Sequence, residues 1–287
     1  MGRFAPSPSG DLHVGSLYTA AASYLDARAN GGRWLVRMED LDRPRVVAGS
    51  AAGILGTLEL FGFEWDGPIV EQSKRAESYA GALDALRSRG LTFDCSCSRS
   101  WLADEERYPG SCREHPLVAA VPTATRLRVD PGPIMFADRI QGMFRQDVAA
   151  AVGDIVLKRR DGLIAYVLAV VTDDAAQDVT DVVRGADLLD NTPRQIYLQR
   201  LLGFGAPRYA HVPLLTEAGG KKLAKSARSV RLNAQAALPQ LVEVFALLGL
   251  SPGSELLHAS LPEAWRWAIR RWDIHRVPKR MALQLTA

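Results

Sequence analysis

The chain reads as an α/β protein built on a parallel sheet, and three features lead there. Residues 2–5 form a strand, Pro6, Pro8 and Gly10 a stiff turn, and Leu12, Val14, Leu17, Ala20, Ala21, Tyr24 and Leu25 then follow helical spacing. A second strand at 35–36 precedes helices over 48–64 and 73–90, with Gly62 and Gly90 as stops. Strand, helix, strand, helix calls for a parallel sheet with right-handed crossovers. A chain of 287 residues, 47% apolar and 23% charged, can bury such a core and carry a smaller appended domain.

Composition narrows the class. Lys and Arg number 35 against 32 Asp and Glu, and a net charge of +3 does not announce a nucleic-acid partner. The longest apolar run, 163–171, is about half of what a membrane span needs, so no membrane association is expected. Opening on a strand leaves no room for a signal peptide, and three cysteines fit a reduced compartment; the expected location is the cytoplasm.

The opening turn is where chemistry is expected. His13 and Ser16 lie three apart at a helix start and share a face. A helix N-terminus offers unpaired N–H groups and a partial positive charge, which suits a phosphate. Gly15 removes a side chain between the two, so a flat ligand can lie close to the backbone. The plainer alternative is a buried strand–turn–helix whose His13 only satisfies a hydrogen bond. Next, Glu39, Asp40 and Asp42 fall at the C-terminal end of the second strand, where ligands of open α/β sheets gather. They equally suit capping the next helix and pairing with Arg37, Arg43 and Arg45.

At residue 94 the texture changes. Cys95, Cys97 and Cys112 interrupt the alternation, and thiolates suit zinc, which wants four ligands in a structural site. His115 is an ordinary candidate for the fourth. The α/β pattern then resumes with a strand at 125–129, closed by Asp130-Pro131-Gly132, and another at 154–160 turning at Asp161-Gly162. The run 163–171 is apolar on all sides, so it is buried, and period alone does not separate strand from helix. A strand at 179–183 follows, then a helix with Thr192 as cap and Pro193 first. Lys221, Lys222, Lys225, Arg228 and Arg231 crowd a loop hinged at Gly219-Gly220, with no acid among them. Helices over 234–248 and 262–275 close the chain. Trp265, Trp267 and Trp272 stand among basic residues there, suited to RNA stacking or to packing the last helix onto the core.

Residues 3–17, with His13-Val14-Gly15-Ser16 in place of a His-Ile-Gly-His box, and Lys222-Leu223-Ala224-Lys225-Ser226, in place of a Lys-Met-Ser-Lys-Ser loop, resemble class I aminoacyl-tRNA synthetases of the glutamate branch. Asp161-Gly162, Tyr166, Asp173-Asp174 and Arg184-Gly185-X-Asp187 continue the likeness. The resemblance implies a Rossmann-type catalytic domain split into 1–94 and 121–210, a zinc-bearing insertion at 95–120 and a short helical domain at 211–287 carrying the lysine loop. It also implies that ATP and L-glutamate are the substrates, with Mg²⁺ and one structural Zn²⁺.

Residue by residue, His13, Ser16 and Lys225 map to catalysis, and His13, Gly15, Asp187, Lys222 and Lys225 to ATP. Arg3, Phe4, Ala5, Pro6, Ser7, Glu39, Tyr166 and Arg184 map to glutamate; Cys95, Cys97, Tyr108 and Cys112 map to the metal. Glu39 is expected to hold the α-amino group. Arg3 and Arg184 are the two cations that a substrate with two carboxylates needs. Ala224 and Ser16 depart from the two boxes and put one hydroxyl and one imidazole in doubt. The chain stops where a glutamyl-tRNA synthetase would continue into an anticodon-binding domain. The resemblance therefore implies a monomer that passes glutamate to queuosine in tRNA(Asp), with a truncated glutamyl-tRNA synthetase or a non-catalytic paralogue as the alternatives.

Overall fold

A computed structural model describes residues 1–98, 101–102, 107–114, 121–217 and 232–285. β1 (Gly2–Phe4) leads through the proline turn into α1 (Val14–Ala29), then β2 (Trp34–Met38), α2 (Ser50–Leu60), β3 (Val70–Glu71) and α3 (Ala76–Ser88). β1 pairs with β2 and β2 with β3, both in parallel. The helix stops fall at Gly62 (φ 74°) and Gly90 (φ 67°), left-handed positions that a side chain would strain.

The alternation then breaks, as the texture at residue 94 requires. β4 (Thr92–Cys95) runs antiparallel to β5 (Ala124–Leu127), with the short α4 (Ser111–Glu114) between them. A hairpin of β6 (Pro133–Asp138) and β7 (Gly142–Asp147) follows, which the sequence pattern does not predict. One turn of helix, α5 (Val148–Ala151), leads to β8 (Ile155–Lys158), antiparallel to β5. The Asp161-Gly162 turn forms as expected, with Lys158 bridged to Ile164.

The ambiguous run 163–171 resolves as helix. α6 (Tyr166–Ala176) is buried continuously from Leu168 to Asp174. A helix enclosed on every side has no polar face, so its sequence carries no period. β9 (Asp181–Gly185) and β10 (Arg208–Val212) form a second parallel pair, joined through α7 (Thr192–Leu202). Thr192 lies inside that helix, with Asn191 at the cap position, which frees its hydroxyl for another task. The amides of Thr180 and Asp181 both donate to the Met1 carbonyl (3.0 and 3.1 Å), setting β9 beside β1.

Successive residues of β9 and β10 serve two cores. Val183, Ala210 and Val212 join one with α1, and Val182 and Tyr209 join the other with α3, α6 and α7. β11 (Leu214–Thr216) pairs in parallel with the C-terminal β12 (Ala282–Gln284), and α8 (Ala237–Leu247) and α9 (Leu261–Arg271) lie between them in sequence. Phe245 and Trp265 from these helices pack with Tyr24 and Phe63 in the first core. Trp265 also donates to the Phe61 carbonyl (2.9 Å), and Trp272 to Asp26 (3.2 Å). Trp267 stacks on Phe245. All three tryptophans are therefore packing residues.

Candidate active site

Two clefts open where β1, β2 and β9 end, at the carboxyl edge of the parallel strands. The larger, about 680 Å³, is lined by Ser7, Glu39, Gln72, Arg126, Ala165 and Tyr166 among others. The smaller, about 410 Å³, is lined by Phe4, Pro6, His13, Gly15, Ser16 and Asp187. Ser7 and Arg45 border both, so the two form neighbouring compartments of one site.

The proline turn shapes the smaller cleft. Ser50 accepts from the Gly10 amide (3.0 Å) and donates to the Gly10 carbonyl (2.8 Å), fastening the turn to α2. Glu39 N–H donates to Pro6 (2.9 Å), tying the turn to the end of β2. His13 occupies the N-cap of α1, its Nδ1 accepting from the Ser16 amide at 3.2 Å. His13 thus satisfies the helix end, and it also lines the cleft. A Cβ on Gly15 would come within 3.1 Å of that ring, and one on Gly185 within 2.7 Å of Asp187. Both glycines make room for the side chains that line the pocket.

Under the larger cleft lies a buried lattice of charge. Asp174 accepts from Arg3 (Nε 3.2 Å, Nη2 3.4 Å) and from Arg37 Nη2 at 2.8 Å. Asp173, fully buried, accepts from Gln72 (2.8 Å), Arg75 (2.5 Å) and Tyr79 (2.8 Å). Two adjacent carboxylates of α6 therefore lock β1, β2 and α3 together. Burial pushes the Glu39 carboxyl up, against the opposing pull of Arg37 and Arg3. A desolvated carboxylate of this kind gains from meeting an ammonium group. Asp40 has another use, taking the Ser73 amide at 2.8 Å.

Arg3 and Arg184 turn out to be differently committed. Arg3 spends Nε and Nη2 on Asp174, so its forked edge already faces a carboxylate. Arg184 meets none. Its Nε donates to His211 Nε2 (3.0 Å), its Nη2 to Thr192 Oγ1 (2.8 Å), and its buried Nη1 has no protein partner. Its charge reaches Tyr166, where it opposes the upward push of burial and Glu39 on the hydroxyl. Arg184 is not among the residues that line either cleft, but an unspent buried guanidinium N–H is a place for an anion. Sequence reading missed His211, Asp138 and Thr192 in this role. The one available signal was a lone histidine in the otherwise apolar strand Tyr209-Ala210-His211-Val212.

The cysteines converge as expected. Cys95, Cys97 and Cys112 bring their Sγ atoms within 4.8 Å of one another, a set able to hold a metal ion. Tyr108 joins them, its Oη 3.5 Å from Cys95 Sγ and accepting from the Cys112 amide at 2.9 Å. Burial and the neighbouring thiols push Cys97 up to about 12. At Cys112 burial also raises, but hydrogen bonds from Ser96, Cys97 and Tyr108 prevail and lower it to about 7. Thiols crowded this closely favour a cation that shares their charge. His115, Lys222, Ala224 and Lys225 lie outside the described residues.

The model of the catalytic domain of class I tRNA synthetases for E and Q matches residues 1–256. The chain belongs to this family. The fold agrees: a glutamate-tRNA synthetase from Elizabethkingia anophelis superposes with a TM-score of 0.83 at 26% identity, over 99% of this chain and 68% of that one. A glutamate tRNA ligase from Elizabethkingia meningosepticum gives 0.83 at 25% identity, over 99% and 66%. Likeness in sequence is higher elsewhere. A protein of Pseudomonas paraeruginosa named Glutamyl-Q tRNA(Asp) synthetase is 54% identical over 99% of this chain and 97% of its own length. One of the same name from Dechloromonas aromatica is 49% identical over 100% and 98%. As a member of this family the protein is a synthetase, a ligase that takes ATP as substrate.

Proposed function

We propose that the protein activates L-glutamate with ATP, without RNA, and then passes the glutamyl group to queuosine at the wobble position of tRNA(Asp). Likeness over almost the whole chain to proteins bearing the name Glutamyl-Q tRNA(Asp) synthetase carries this reading. In the first step a carboxylate oxygen of glutamate attacks the α-phosphorus of ATP, forming glutamyl-adenylate and releasing pyrophosphate. Positioning and charge stabilisation suffice for such a step, and no general base is asked of the protein.

In this reading the smaller cleft takes ATP. His13, the α1 N-terminus, Gly15 and Asp187 receive the nucleotide, with Ser16, Lys222 and Lys225 serving the phosphates and Mg²⁺ accompanying them. The larger cleft takes glutamate, with Phe4, Ala5, Pro6 and Ser7 of the turn contributing to its binding and Ser7 bordering both clefts. Glu39 and Tyr166 hold the ammonium end, and Arg184 takes a carboxylate with its unspent Nη1. Arg3, already bridged to Asp174, contributes its field. Cys95, Cys97, Cys112 and Tyr108 suit one zinc ion, which would cross-link β4 to α4 and leave no open coordination position. We take the protein to act as a monomer in the cytoplasm. Among the described residues no helix is long and apolar enough to cross a membrane.

Pyrophosphate exchange with glutamate, ATP and Mg²⁺ but no RNA tests the first step, and it should be measurable. Labelled glutamate should then enter tRNA(Asp) only when queuosine is present. Exchange that appears only on adding tRNA, or label at the RNA 3′ end, would instead identify a shortened glutamyl-tRNA synthetase.

A further inference from the structure

Arg184 is held from behind by a histidine whose protonation state the surroundings dictate. His211 is fully buried, its Nδ1 2.6 Å from Asp138 Oδ2 and its Nε2 3.0 Å from Arg184 Nε. Asp138 Oδ1 is separately occupied by three amides, those of Ile140 (3.0 Å), Gln141 (2.8 Å) and His211 (3.2 Å). A carboxylate only accepts, so Nδ1 must carry the proton. An arginine Nε–H only donates, so Nε2 must present its lone pair. Both ends demand the same neutral tautomer.

We infer that His211, fixed by Asp138 as the Nδ1–H tautomer, is a positioning residue that locks the Arg184 guanidinium with Nη1 free for the substrate carboxylate. This rests on the reading that Arg184 meets glutamate. With Nε on His211 and Nη2 on Thr192, two of the three guanidinium nitrogens are fixed, so the plane of the fork is set before substrate arrives. Were His211 the other tautomer, or protonated, an N–H would face an N–H across 3.0 Å and the guanidinium would turn away. Tyr209 stacks on the imidazole (interplanar angle 12°) and so limits ring rotation. Burial, Arg184 and Arg3 hold the imidazole below the ordinary histidine range against the pull of Asp138. That keeps the acceptor available at neutral pH.

Asp138→Asn tests the device, because the asparagine Oδ1 keeps the three amides while its Nδ2 becomes a donor toward His211. The imidazole must then accept at Nδ1 and carry its proton on Nε2, pointing it at Arg184. Aspartate-to-asparagine changes next to histidine act through tautomer in this way. Glutamate KM in pyrophosphate exchange should rise about ten- to a hundred-fold, while ATP KM and kcat stay within about three-fold. His211→Gln, whose side-chain oxygen can replace Nε2 as acceptor, should stay within about five-fold of wild type; His211→Leu should behave like Asp138→Asn. Long-range ¹H–¹⁵N spectra of the five histidines give an independent reading, with the Nδ1–H form in wild type and the Nε2–H form in Asp138→Asn. Thermal melts of the same proteins separate misfolding from mispositioning. Unchanged glutamate KM in Asp138→Asn with the tautomer switched, or an Nε2–H or doubly protonated His211 in wild type, overturns this inference alone. Absence of glutamate-dependent exchange in the wild type overturns the reading of the pocket and this inference with it.

Discussion

At the scale of the residue, selectivity for glutamate comes down to charge at one end of the ligand. Glutamine differs from glutamate only in a neutral amide of nearly the same shape, so a pocket separates them only with a cation. Of the two expected cations, Arg184 is the one with an unspent buried N–H, whereas Arg3 already faces Asp174. Removing it while keeping a hydrogen-bonding side chain forfeits a charge-assisted contact, worth about 2–4 kcal/mol or roughly thirty- to a thousand-fold in affinity. Arg184→Gln should therefore raise the glutamate KM by that factor and leave the ATP KM nearly unchanged, as read by exchange kinetics with each substrate varied. Loss of ATP affinity with an intact glutamate KM would move Arg184 to the nucleotide compartment. The same step should narrow the gap between glutamate and glutamine, since the variant no longer rewards a negative charge.

At the scale of the element, the cysteine cluster is the clearest separable piece. β4 and α4 reach each other through Cys95, Cys97, Cys112 and Tyr108, and their packing there is a small satellite of three buried side chains. So small a core stabilises little without a metal. Cys112→Ser should release bound zinc, measured as metal per chain, and speed amide exchange in β4 and α4 while the β1–β2 amides keep their protection. Retention of a full equivalent of metal would exclude Cys112 as a ligand. Legibility in the sequence follows the same division. The opening strand, turn and helix could be read because proline, glycine and a clean apolar period mark them. The hairpin of β6 and β7 could not, since Met135 and Met143 stand exposed and the alternation that marks a half-buried strand is lost. α6 hid its type because seven successive residues are buried. Glu39 was legible by its place after β2, but the partnership of Asp138, His211 and Arg184 was not. It joins three strands far apart in sequence, from two separate sheets, and only the fold brings them together.

At the scale of the whole molecule, the decisive arrangement is that the C-terminal helices have no apolar core separate from that of the N-terminal half among the described residues. Trp265 of α9 is 3% exposed and meets Tyr24 of α1 and Phe63 after α2, with ring centroids 4.7 and 4.8 Å apart. Phe245 of α8 adds a third ring at 5.2 Å. α9 is secured at its start by a capping box, Ser260 and Glu263 each holding the other's backbone amide. Its last tryptophan neighbour, Trp272, reaches Asp26 of α1, which also takes both Nη atoms of Arg139 (2.6 and 2.9 Å). These contacts cross the boundary that the sequence suggests at residue 211. Segments that share one core melt together, whereas a separately cored domain melts by itself. Truncating a buried tryptophan to alanine costs about 3–5 kcal/mol, through lost burial and the cavity left behind. Trp265→Ala should thus lower the stability of the entire chain by about that amount, seen as one shifted transition both in far-ultraviolet circular dichroism and in calorimetry. Its pyrophosphate exchange should persist at temperatures below the new midpoint, because no group of the site touches Trp265. A variant with two resolved transitions, the first alone shifted, would instead make residues 211–287 an autonomous unit whose packing on α1 is incidental to the catalytic half.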